Sequence, residues 1–364
     1  MLCPRCHKEV MDSWAHCPYD AEPLHPRSDH PPSDPVSMGS LHHKMTGMAG
    51  AVMGGRFQIK GFVNKGATAR VYLAQDIKSR EAVIVKLFAP GEAGTDDTHA
   101  RFKREAELLI ALDHPNIIKV LSYGEMQERP YVVTEPLRGE SLHDYLKREH
   151  SMPTDLALAM MRHAGQGLAA AHRAGIVHRD VKPGNLFLLG PIGNPYGLKL
   201  IDFGLAKGET SGRISSHDIV LGTIEYMAPE QIVTDPTDAR TDVYGLGVVM
   251  FRVFTGHLPF DVETDFELLA HQMFSPAPPP SWLNEDIDPR IEQVILRAMR
   301  KRPDNRYPNM QALVDDLERI LGFSTDSHVS PVSTRPDDTY EPLTPAGLQA
   351  AEVLLRQFGV VLEK

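Results

Sequence analysis

Cysteine, tryptophan and long apolar runs are scarce in this sequence. Its 364 residues include 3 Cys and 2 Trp, and no stretch approaches the roughly 18 consecutive apolar residues of a membrane span. The first ten residues, MLCPRCHKEV, lack the apolar stretch of a secretory signal. We therefore expect a cytoplasmic protein with no membrane span.

Basic residues are also fewer than acidic ones. Lys and Arg number 38 against 48 Asp and Glu, which gives a net charge of −10. Such a chain has no general attraction for phosphate backbones or anionic lipid, so we expect no nucleic-acid partner. The hydrophobic fraction of 42% and the charged fraction of 24% are those of a globular protein and exclude collagen-like and wholly disordered chains.

Composition and apolar patterning change three times along the chain. Residues 1–24 form a compact unit rich in Cys, His and Pro, and residues 25–55 lack apolar periodicity, as is typical of a flexible linker. Residues 56–321 carry regular apolar patterning. Residues 322–364 form a polar tail with a short helix predicted at 345–358, whose apolar face packs either on the same domain or on a partner.

Within residues 56–321, strands are predicted first and helices later. Alternating apolar residues predict strands at 57–63, 70–76, 82–88 and 131–137, with an amphipathic helix at 98–112. The later predicted elements are helices at 155–174, 243–256, 289–301 and 309–321, a further helix opened by the capping box of Ser141 and Asp144, and strands at 186–189 and 198–201.

One ordered set of polar residues points to phosphoryl transfer. This reaction needs positioning and charge neutralisation: a lysine on the phosphates, carboxylate and amide ligands for Mg²⁺, and a carboxylate near the attacking hydroxyl. The set comprises Lys86 at the end of VIVK, Glu105 on the following helix, Asp180, Lys182 and Asn185 in HRDVKPGN, and Asp202 in LIDFG.

These motifs, together with GTIEYMAPE and DVYGLGVV, give the chain a clear family resemblance. Residues 56–321 resemble the eukaryotic-like (Hanks-type) serine/threonine protein kinases of bacteria. The resemblance implies an α+β, bilobal kinase fold. It has a small antiparallel β lobe with one helix at 56–138 and a larger, mainly helical lobe at 139–321, preceded by a small N-terminal ribbon.

The resemblance also implies a role for each motif residue. Lys86 would hold the phosphates of ATP and pair with Glu105, and Asp180 would accept the proton of the substrate hydroxyl. Lys182 would contact the γ-phosphate, while Asn185 and Asp202 would bind Mg²⁺. The nucleotide would further contact Val63, Gly66, Val71, Ile84, Thr134, Glu135, Leu137 and Phe187.

Other residues take structural or regulatory roles by the same resemblance. Glu230 would pair with Arg306, and Asp242 would brace the catalytic loop. Ser215 and Ser216 are the favoured autophosphorylation sites, where a phosphate would pair with cations such as Arg179 and order the loop. The alternative is that Ser215 and Ser216, together with Thr210 and Ser211 earlier in the same polar stretch, lie in a solvated loop without a regulatory role. Thr223 matches the substrate-site threonine of serine/threonine kinases.

The sequence departs from the family at two places near the nucleotide. The glycine-rich loop reads NKGATARV, so it keeps only Gly66, although Asn64 tolerates a positive φ better than most residues. Ile84 stands where the family usually has alanine, and a branched side chain there is expected to narrow the adenine site.

We therefore interpret the chain as an enzyme that transfers the γ-phosphoryl group of Mg-ATP to Ser or Thr hydroxyls of protein substrates. Autophosphorylation of the activation segment is expected as well, with dimerisation a route to phosphorylation in trans. The alternative is a pseudokinase scaffold that recruits partners through the kinase fold and the N-terminal ribbon.

The N-terminal cysteines indicate a separate module. Cys3, Cys6 and Cys17 follow the spacing of a zinc ribbon whose fourth cysteine is Asp20, and zinc accepts a carboxylate oxygen. His7, His16 and His25 are alternative fourth ligands, and a degenerate ribbon without metal is the competing interpretation. The low basic charge of residues 1–24 favours a protein partner for this ribbon.

Overall fold

The computed structural model describes residues 48–66, 69–89, 96–203, 224–233, 235–322, 347–349 and 351–352. The chain divides into two compact units, Met1–Arg138 and Gly139–Lys364. Across the described ranges, no helix is both long enough and apolar enough to cross a membrane.

The N-terminal unit is built on an antiparallel sheet. Its six strands are β1 (Val52–Met53), β2 (Phe57–Lys65), β3 (Ala69–Asp76), β4 (Ala82–Phe88), β5 (Val120–Met126) and β6 (Arg129–Thr134), in the order β1-β2-β3-β4-β6-β5. One helix, α1 (Asp96–Ala111), lies between β4 and β5 in the chain. The predicted small β lobe with one helix is confirmed.

Alternation along the central strands separates a core face from a second face. Tyr72, Val85 and Val133 lie on the core face and are at most 1% exposed. They belong to one apolar cluster with Met53, Phe57, Ile59, Ala74, Val83, Leu87 and Tyr131. Because side chains alternate along a strand, the intervening residues of β3 and β4 share the opposite face, which carries the predicted nucleotide contacts.

The hairpin between β5 and β6 differs from the sequence prediction. The strand Val120–Met126 was not predicted, and β6 ends at Thr134 rather than at residue 137. Gln127 and Glu128 form the two-residue turn with φ of 53° and 58°, a conformation usually signalled by Asn or Gly. Pro136 has no backbone N–H for a sheet ladder, which is consistent with the early end of β6.

The C-terminal unit is mainly helical. Its elements are β7 (Gly139–Ser141), α2 (Leu142–Glu149), α3 (Thr154–Arg173), β8 (Leu186–Leu189), β9 (Gly197–Leu200), α4 (Pro229–Ile232), α5 (Ala239–Thr255), α6 (Asp265–Phe274), α7 (Pro289–Ala298) and α8 (Met310–Ile320). The strands form a small antiparallel sheet in the order β7-β8-β9. The predicted mainly helical lobe is confirmed.

Helix ends follow local capping signals. The predicted cap of α2 is present, because the Asp144 backbone N–H donates to Ser141 Oγ at 3.1 Å. Helix α5 begins four residues before the predicted start, because the Asp238 carboxylate caps it by accepting the Arg240 N–H at 2.8 Å. It ends at Gly256, whose φ of +77° is the left-handed conformation that favours glycine.

Several sequence predictions lie outside the described residues. These are the ribbon with Cys3, Cys6, Cys17 and Asp20, the linker up to residue 47, the activation-segment residues 204–223 with Ser215, Ser216 and Thr223, and most of the predicted C-terminal helix.

Candidate active site

The second face of the N-terminal sheet brings together four predicted nucleotide contacts. Val71 pairs with Lys86 across β3 and β4, and Ile84 pairs with Thr134 across β4 and β6. Directly opposite residues of antiparallel strands project to the same face. The sheet register therefore places the side chains of Ile84 and Lys86, two residues apart on β4, on the same face of the sheet. Val71 and Thr134 lie beside them on that face.

An aromatic contact brings α1 to this same face. The rings of Phe88 on β4 and Phe102 on α1 meet edge to face, with centroids 5.5 Å apart. Phe88 is two residues after Lys86, and the Lys86 Nζ lies 5.3 Å from the Phe88 ring centroid. Glu105 follows Phe102 by three residues, so it lies about one helical turn along the same side of α1.

The segment aligned with the glycine-rich loop is an extended hairpin in its described part. Asn64 lies in β2 opposite Val71, and a backbone hydrogen bond joins the Gly66 N–H to the Ala69 carbonyl at 2.9 Å. A positive φ is found at neither Asn64 nor Gly66. The tolerance of Asn64 for a positive φ is therefore not used in this structure. Val63 lies at the register shift before Asn64 and is 45% exposed.

The residues after β6 are held to the start of β5. The Glu135 N–H donates to the Lys119 carbonyl at 3.1 Å, and a Glu135 carboxylate oxygen accepts the Lys119 N–H at 2.9 Å. Thr134 is buried and Leu137 is half-buried. This reciprocal pair of bonds fixes the path of the chain at Glu135, next to the predicted nucleotide contacts Thr134 and Leu137.

In the C-terminal unit, two side chains converge on Asp180. The Asn185 Nδ2 donates to the Asp180 carboxylate and to the Asp180 backbone carbonyl, each at 2.8 Å. The Lys182 Nζ lies 3.1 Å from the same carboxylate oxygen. The Asp180 side chain is 14% exposed, so this carboxylate is positioned by neighbours and still reaches the surface.

The backbone before Asp180 is held by Asp242. The Asp242 carboxylate accepts the N–H groups of His178 and Arg179, each at 2.8 Å, and the His172 Nε2 at 2.7 Å. Arg179 has a φ of +61°, a conformation that costs a non-glycine residue about 1–3 kcal/mol. The predicted bracing of the catalytic loop by Asp242 is confirmed.

His178 joins this loop to the strand before Asp202. The ring is fully buried, its Nδ1 accepts the Asp180 N–H at 3.3 Å, and its Nε2 donates to the Ile201 carbonyl at 3.0 Å. Those two bonds specify the neutral tautomer with the proton on Nε2. The Phe203 ring lies 4.5 Å from the His178 ring. Sequence reasoning missed this histidine, whose signal is its place in the HRD motif.

The sheet of β7, β8 and β9 brings Asn185 and Asp202 to one end. Asn185 immediately precedes β8, Asp202 follows β9 by two residues, and the Ile201 N–H donates to the Asn185 carbonyl at 2.9 Å. Asp202 is exposed with a φ of +58°. Phe187, a predicted nucleotide contact, lies on β8 opposite Ser141 of β7 and Lys199 of β9.

Asn185 and Asp202 suit a hard cation. The Asn185 amide nitrogen is directed at Asp180, which leaves its oxygen as the metal-binding atom, and Asp202 supplies a carboxylate. Within the described ranges, no cluster of three or more His, Cys, Asp or Glu side chains is placed to hold a metal. Two oxygen ligands fit Mg²⁺, since this ion usually keeps several waters and takes its remaining ligands from substrate phosphates.

Two further contacts of Arg179 were missed by sequence reasoning. Its Nε donates to Thr237 Oγ1 at 3.2 Å, and its carbonyl accepts the Gln231 Nε2 at 2.9 Å. Arg179, Asp180, Gln231 and Asp242 line a small pocket together with Tyr226 and Met227. The turn that contains Tyr226 and Met227 therefore adjoins the Asp180 loop.

The predicted ion pair between Glu230 and Arg306 is also confirmed. Two guanidinium nitrogens of Arg306 donate to the two carboxylate oxygens of Glu230, each at 2.7 Å. Both residues are buried, and the Thr241 hydroxyl donates to Glu230 at 2.9 Å. The pair links α4 to the loop before α8.

Comparison with known proteins agrees with this arrangement. Residues 57–317 match the family described as the protein kinase domain. The serine/threonine-protein kinase PknB of Mycobacterium leprae is 34% identical over 270 residues, which cover 73% of this chain and 43% of the relative. The serine/threonine-protein kinase PrkC of Bacillus subtilis is 33% identical over 271 residues, which cover 74% and 41%.

Among solved structures, the PknI kinase domain of Mycobacterium tuberculosis superposes with a TM-score of 0.60 at 25% identity, covering 75% of this chain and 98% of that domain. The chain spans about two fifths of the length of PknB and PrkC. Over the part that it shares with them, the chain belongs to the protein kinase family, on its bacterial serine/threonine branch.

Proposed function

We propose that this protein is a serine/threonine protein kinase that transfers the γ-phosphoryl group of ATP to hydroxyl groups of proteins. The observation that carries the proposal is the convergence of Lys182 and Asn185 on the Asp180 carboxylate. A carboxylate held in this way, partly exposed and next to a cation, is suited to receive a proton at one defined place.

Asp180 acts on the attacking hydroxyl. As the hydroxyl oxygen of a substrate Ser or Thr forms a bond to the γ-phosphorus, its proton passes to the Asp180 carboxylate, the bond from γ-phosphorus to the bridging oxygen breaks, and ADP leaves. Lys182, beside Asp180, places positive charge where the transferred phosphoryl group carries negative charge. Asn185 keeps the Asp180 carboxylate oriented.

Members of this family use ATP and magnesium. Asn185 and Asp202 are the residues that we assign to hold Mg²⁺, which would supply positive charge to neutralise the phosphate groups of the nucleotide. The oxygen chemistry of these two side chains and their place at one end of the β8–β9 ribbon support this assignment.

The N-terminal unit binds the nucleotide. Lys86 holds the phosphates and pairs with Glu105, an assignment supported by the Phe88–Phe102 contact that brings α1 to the Lys86 face. The sheet register supports a shared contact surface for Val71, Ile84 and Thr134. The remaining assigned contacts are Val63, Gly66, Glu135 and Leu137 in this unit, together with Phe187 on β8 of the C-terminal unit.

The test is transfer of labelled phosphate from Mg-ATP to a general protein substrate such as dephosphorylated casein, followed by hydrolysis and separation of phosphoserine, phosphothreonine and phosphotyrosine. We expect phosphoserine and phosphothreonine. Mass spectrometry of the chain after incubation with ATP should find phosphate at Ser215 or Ser216. A protein that neither binds ATP nor transfers phosphate would instead act as a scaffold, the alternative that Ile84 and the loss of two glycines from the glycine-rich loop favour.

We also propose that Cys3, Cys6, Cys17 and Asp20 bind one zinc ion, so that residues 1–24 present a folded surface to a protein partner. The support is the spacing of three thiols, each a strong zinc ligand. Elemental analysis of the full chain should find one zinc per molecule, and a Cys3→Ser, Cys6→Ser variant should contain none.

A further inference from the structure

An apolar cluster in the C-terminal unit includes residues far beyond the kinase motifs. Ala351 is 2% exposed and lies in one buried cluster with Ile224, Met227, Ile232, Leu269 and Ala270. Leu348 packs against the same cluster and is half-buried. The pattern of the sequence left open whether the apolar face of the C-terminal helix meets the same domain or a partner. In the structure, Leu348 and Ala351 of that face meet the same domain.

The residues that make this contact form a short helical segment, which we call the docking segment: residues 347–349 and 351–352, all helical. Leu348 and Ala351 are three residues apart, so they lie on one side of a helix. Gln349, between them in sequence, is exposed. The segment therefore has one apolar side turned toward the cluster and one polar side turned toward solvent.

The surface beneath the docking segment is tied to the turn at residues 224–226. Gln272 on α6 donates from Nε2 to the Glu225 carbonyl at 2.6 Å, so α6 and the turn at 224–226 are held together. Leu269 and Ala270, one turn earlier on α6, are both fully buried. The docking segment therefore rests on α6, α4 and this turn as one surface.

Met227 connects this surface to the proposed catalytic carboxylate. Its side chain belongs to the cluster that contains Ala351, and Met227 also lines the pocket that Asp180 and Arg179 line. A protein substrate whose hydroxyl reaches Asp180 has to lay its neighbouring residues near this turn, because the turn adjoins Asp180.

We propose that the docking segment is an intramolecular ligand of the surface formed by Ile224, Met227, Ile232, Leu269 and Ala270, and that it competes with protein substrates for that surface. When the segment is docked, the apolar surface beside the catalytic loop is covered by the chain itself. When the segment leaves, the surface is open to apolar residues of a substrate. The second half of the proposal rests on the proposed kinase activity; the docking does not.

Docking is measured by hydrogen–deuterium exchange of the full chain, without nucleotide. Amides of residues 347–352 should exchange at least about tenfold more slowly than in a synthetic peptide of residues 341–358, because docked structure protects amides and a short free helix does not. Ala351→Asp and Leu348→Asp each place a charge against the apolar surface and should restore the exchange rate of the peptide. Gln349→Asp adds the same charge on the exposed side and should leave protection intact.

Competition is measured with the same four proteins as the rate of phosphate transfer to dephosphorylated casein. Ala351→Asp and Leu348→Asp should raise kcat/KM for casein by about fivefold or more, within the usual range of intramolecular coupling, while the KM for ATP stays the same. Gln349→Asp should match the unmodified chain. The increase in kcat/KM should come from a lower KM for casein at unchanged kcat, since the catalytic loop is unchanged.

Each outcome tests a separate claim: docking, competition with substrate, or the kinase function itself. Peptide-like exchange of residues 347–352 in the unmodified chain overturns docking. Loss of protection in the two variants without a gain in casein phosphorylation overturns competition. Absence of transfer in all four proteins contradicts the proposed kinase function and with it the competition, while the exchange data still decide whether the segment docks.

Discussion

Asp242 accepts the backbone N–H of Arg179 at 2.8 Å, and Arg179 has a φ of +61°. The buried carboxylate thus holds a strained residue that immediately precedes the proposed catalytic Asp180. Asp242 is 63 residues further along the chain, at the start of a helix buried on all sides. The geometry of the catalytic loop therefore depends on the packing of α5.

This relationship predicts that Asp242→Asn lowers kcat by about tenfold or more, because small displacements of a catalytic group slow a reaction strongly. The amide keeps one acceptor oxygen and turns an NH₂ group toward backbone N–H donors. Stability should fall by about 1–3 kcal/mol, the usual cost of an unsatisfied buried polar group. Steady-state kinetics and urea unfolding measure the two effects.

Asp316→Asn is the matched control. Asp316 is also buried and accepts a hydrogen bond from the Tyr307 hydroxyl at 2.6 Å, but it lies on α8. The Asp316→Asn variant should lose a similar free energy of unfolding and keep its kcat. Equal losses of kcat in the two variants would mean that Asp242 acts through general stability and not through the catalytic loop.

The Glu230–Arg306 pair predicts a large loss of stability on Arg306→Leu. Removing one partner leaves the buried Glu230 carboxylate uncompensated, which costs about 3–5 kcal/mol. Arg290→Leu is the control, because the side chains of Arg290 and Asp288, which form an ion pair, are 53% and 31% exposed, and ion pairs at the surface contribute about 0–1 kcal/mol. Urea unfolding at pH 7 compares the free energies of unfolding of the two variants. Similar losses of stability in both would contradict the structural role of the buried pair.

Ile84 lies on the same face of the N-terminal sheet as Lys86. We therefore predict that Ile84→Ala tightens ATP binding. Removing the branched side chain widens the adenine site, and a change of about one methylene in such a site is worth tenfold or more in affinity. Val85→Ala is the control, because Val85 lies on the core face and is fully buried. It should lower stability by about 2 kcal/mol without tightening ATP binding. Calorimetric titration with Mg-ATP measures the affinities.

The Arg56–Asp76 pair predicts a specific acid sensitivity of the N-terminal unit. Hydrogen bonds from Arg56, at 2.6 and 2.9 Å, lower the pKa of Asp76 to about 2. Because the folded pKa lies below that of the unfolded chain, the stabilisation is present above the unfolded pKa and is lost as pH falls through about 2.

Urea unfolding from pH 5 to pH 2 tests this. Both Asp76→Asn and Arg56→Gln should show a shallower loss of stability in that range than the unmodified chain, the first because no carboxylate is left to protonate and the second because the pKa of Asp76 returns toward its ordinary value. Identical pH profiles in all three proteins would show that the pair does not contribute.

The parts of the fold that were predicted well have local signals. Strands β2, β3 and β4 alternate apolar and polar residues, and the predicted strand at 82–88 matches β4 in full. Helix α6 was missed although Thr264 and Glu267 have the spacing of a capping box, and the Glu267 N–H does donate to the Thr264 hydroxyl at 3.2 Å. The turn at Gln127 and Glu128 could not be predicted, since neither residue type signals a left-handed conformation.

In the candidate site, motif residues could be predicted and long-range contacts could not. Asp180, Lys182 and Asn185 lie within six residues of sequence, so their convergence follows from one loop. The contact of Arg179 with Thr237 and that of Met227 with the cluster around Ala351 join segments 58 and 124 residues apart. Such contacts have no periodicity in sequence and depend on how helices pack.

The most direct test of the kinase assignment compares phosphate transfer and nucleotide binding in the unmodified chain and in Asp180→Asn. We expect the unmodified chain to label casein from Mg-ATP. The Asp180→Asn variant should bind ATP with unchanged affinity and transfer phosphate about 10²-fold or more slowly, because the proton acceptor is gone. Equal transfer by both proteins, or no ATP binding and no transfer by the unmodified chain, would contradict it.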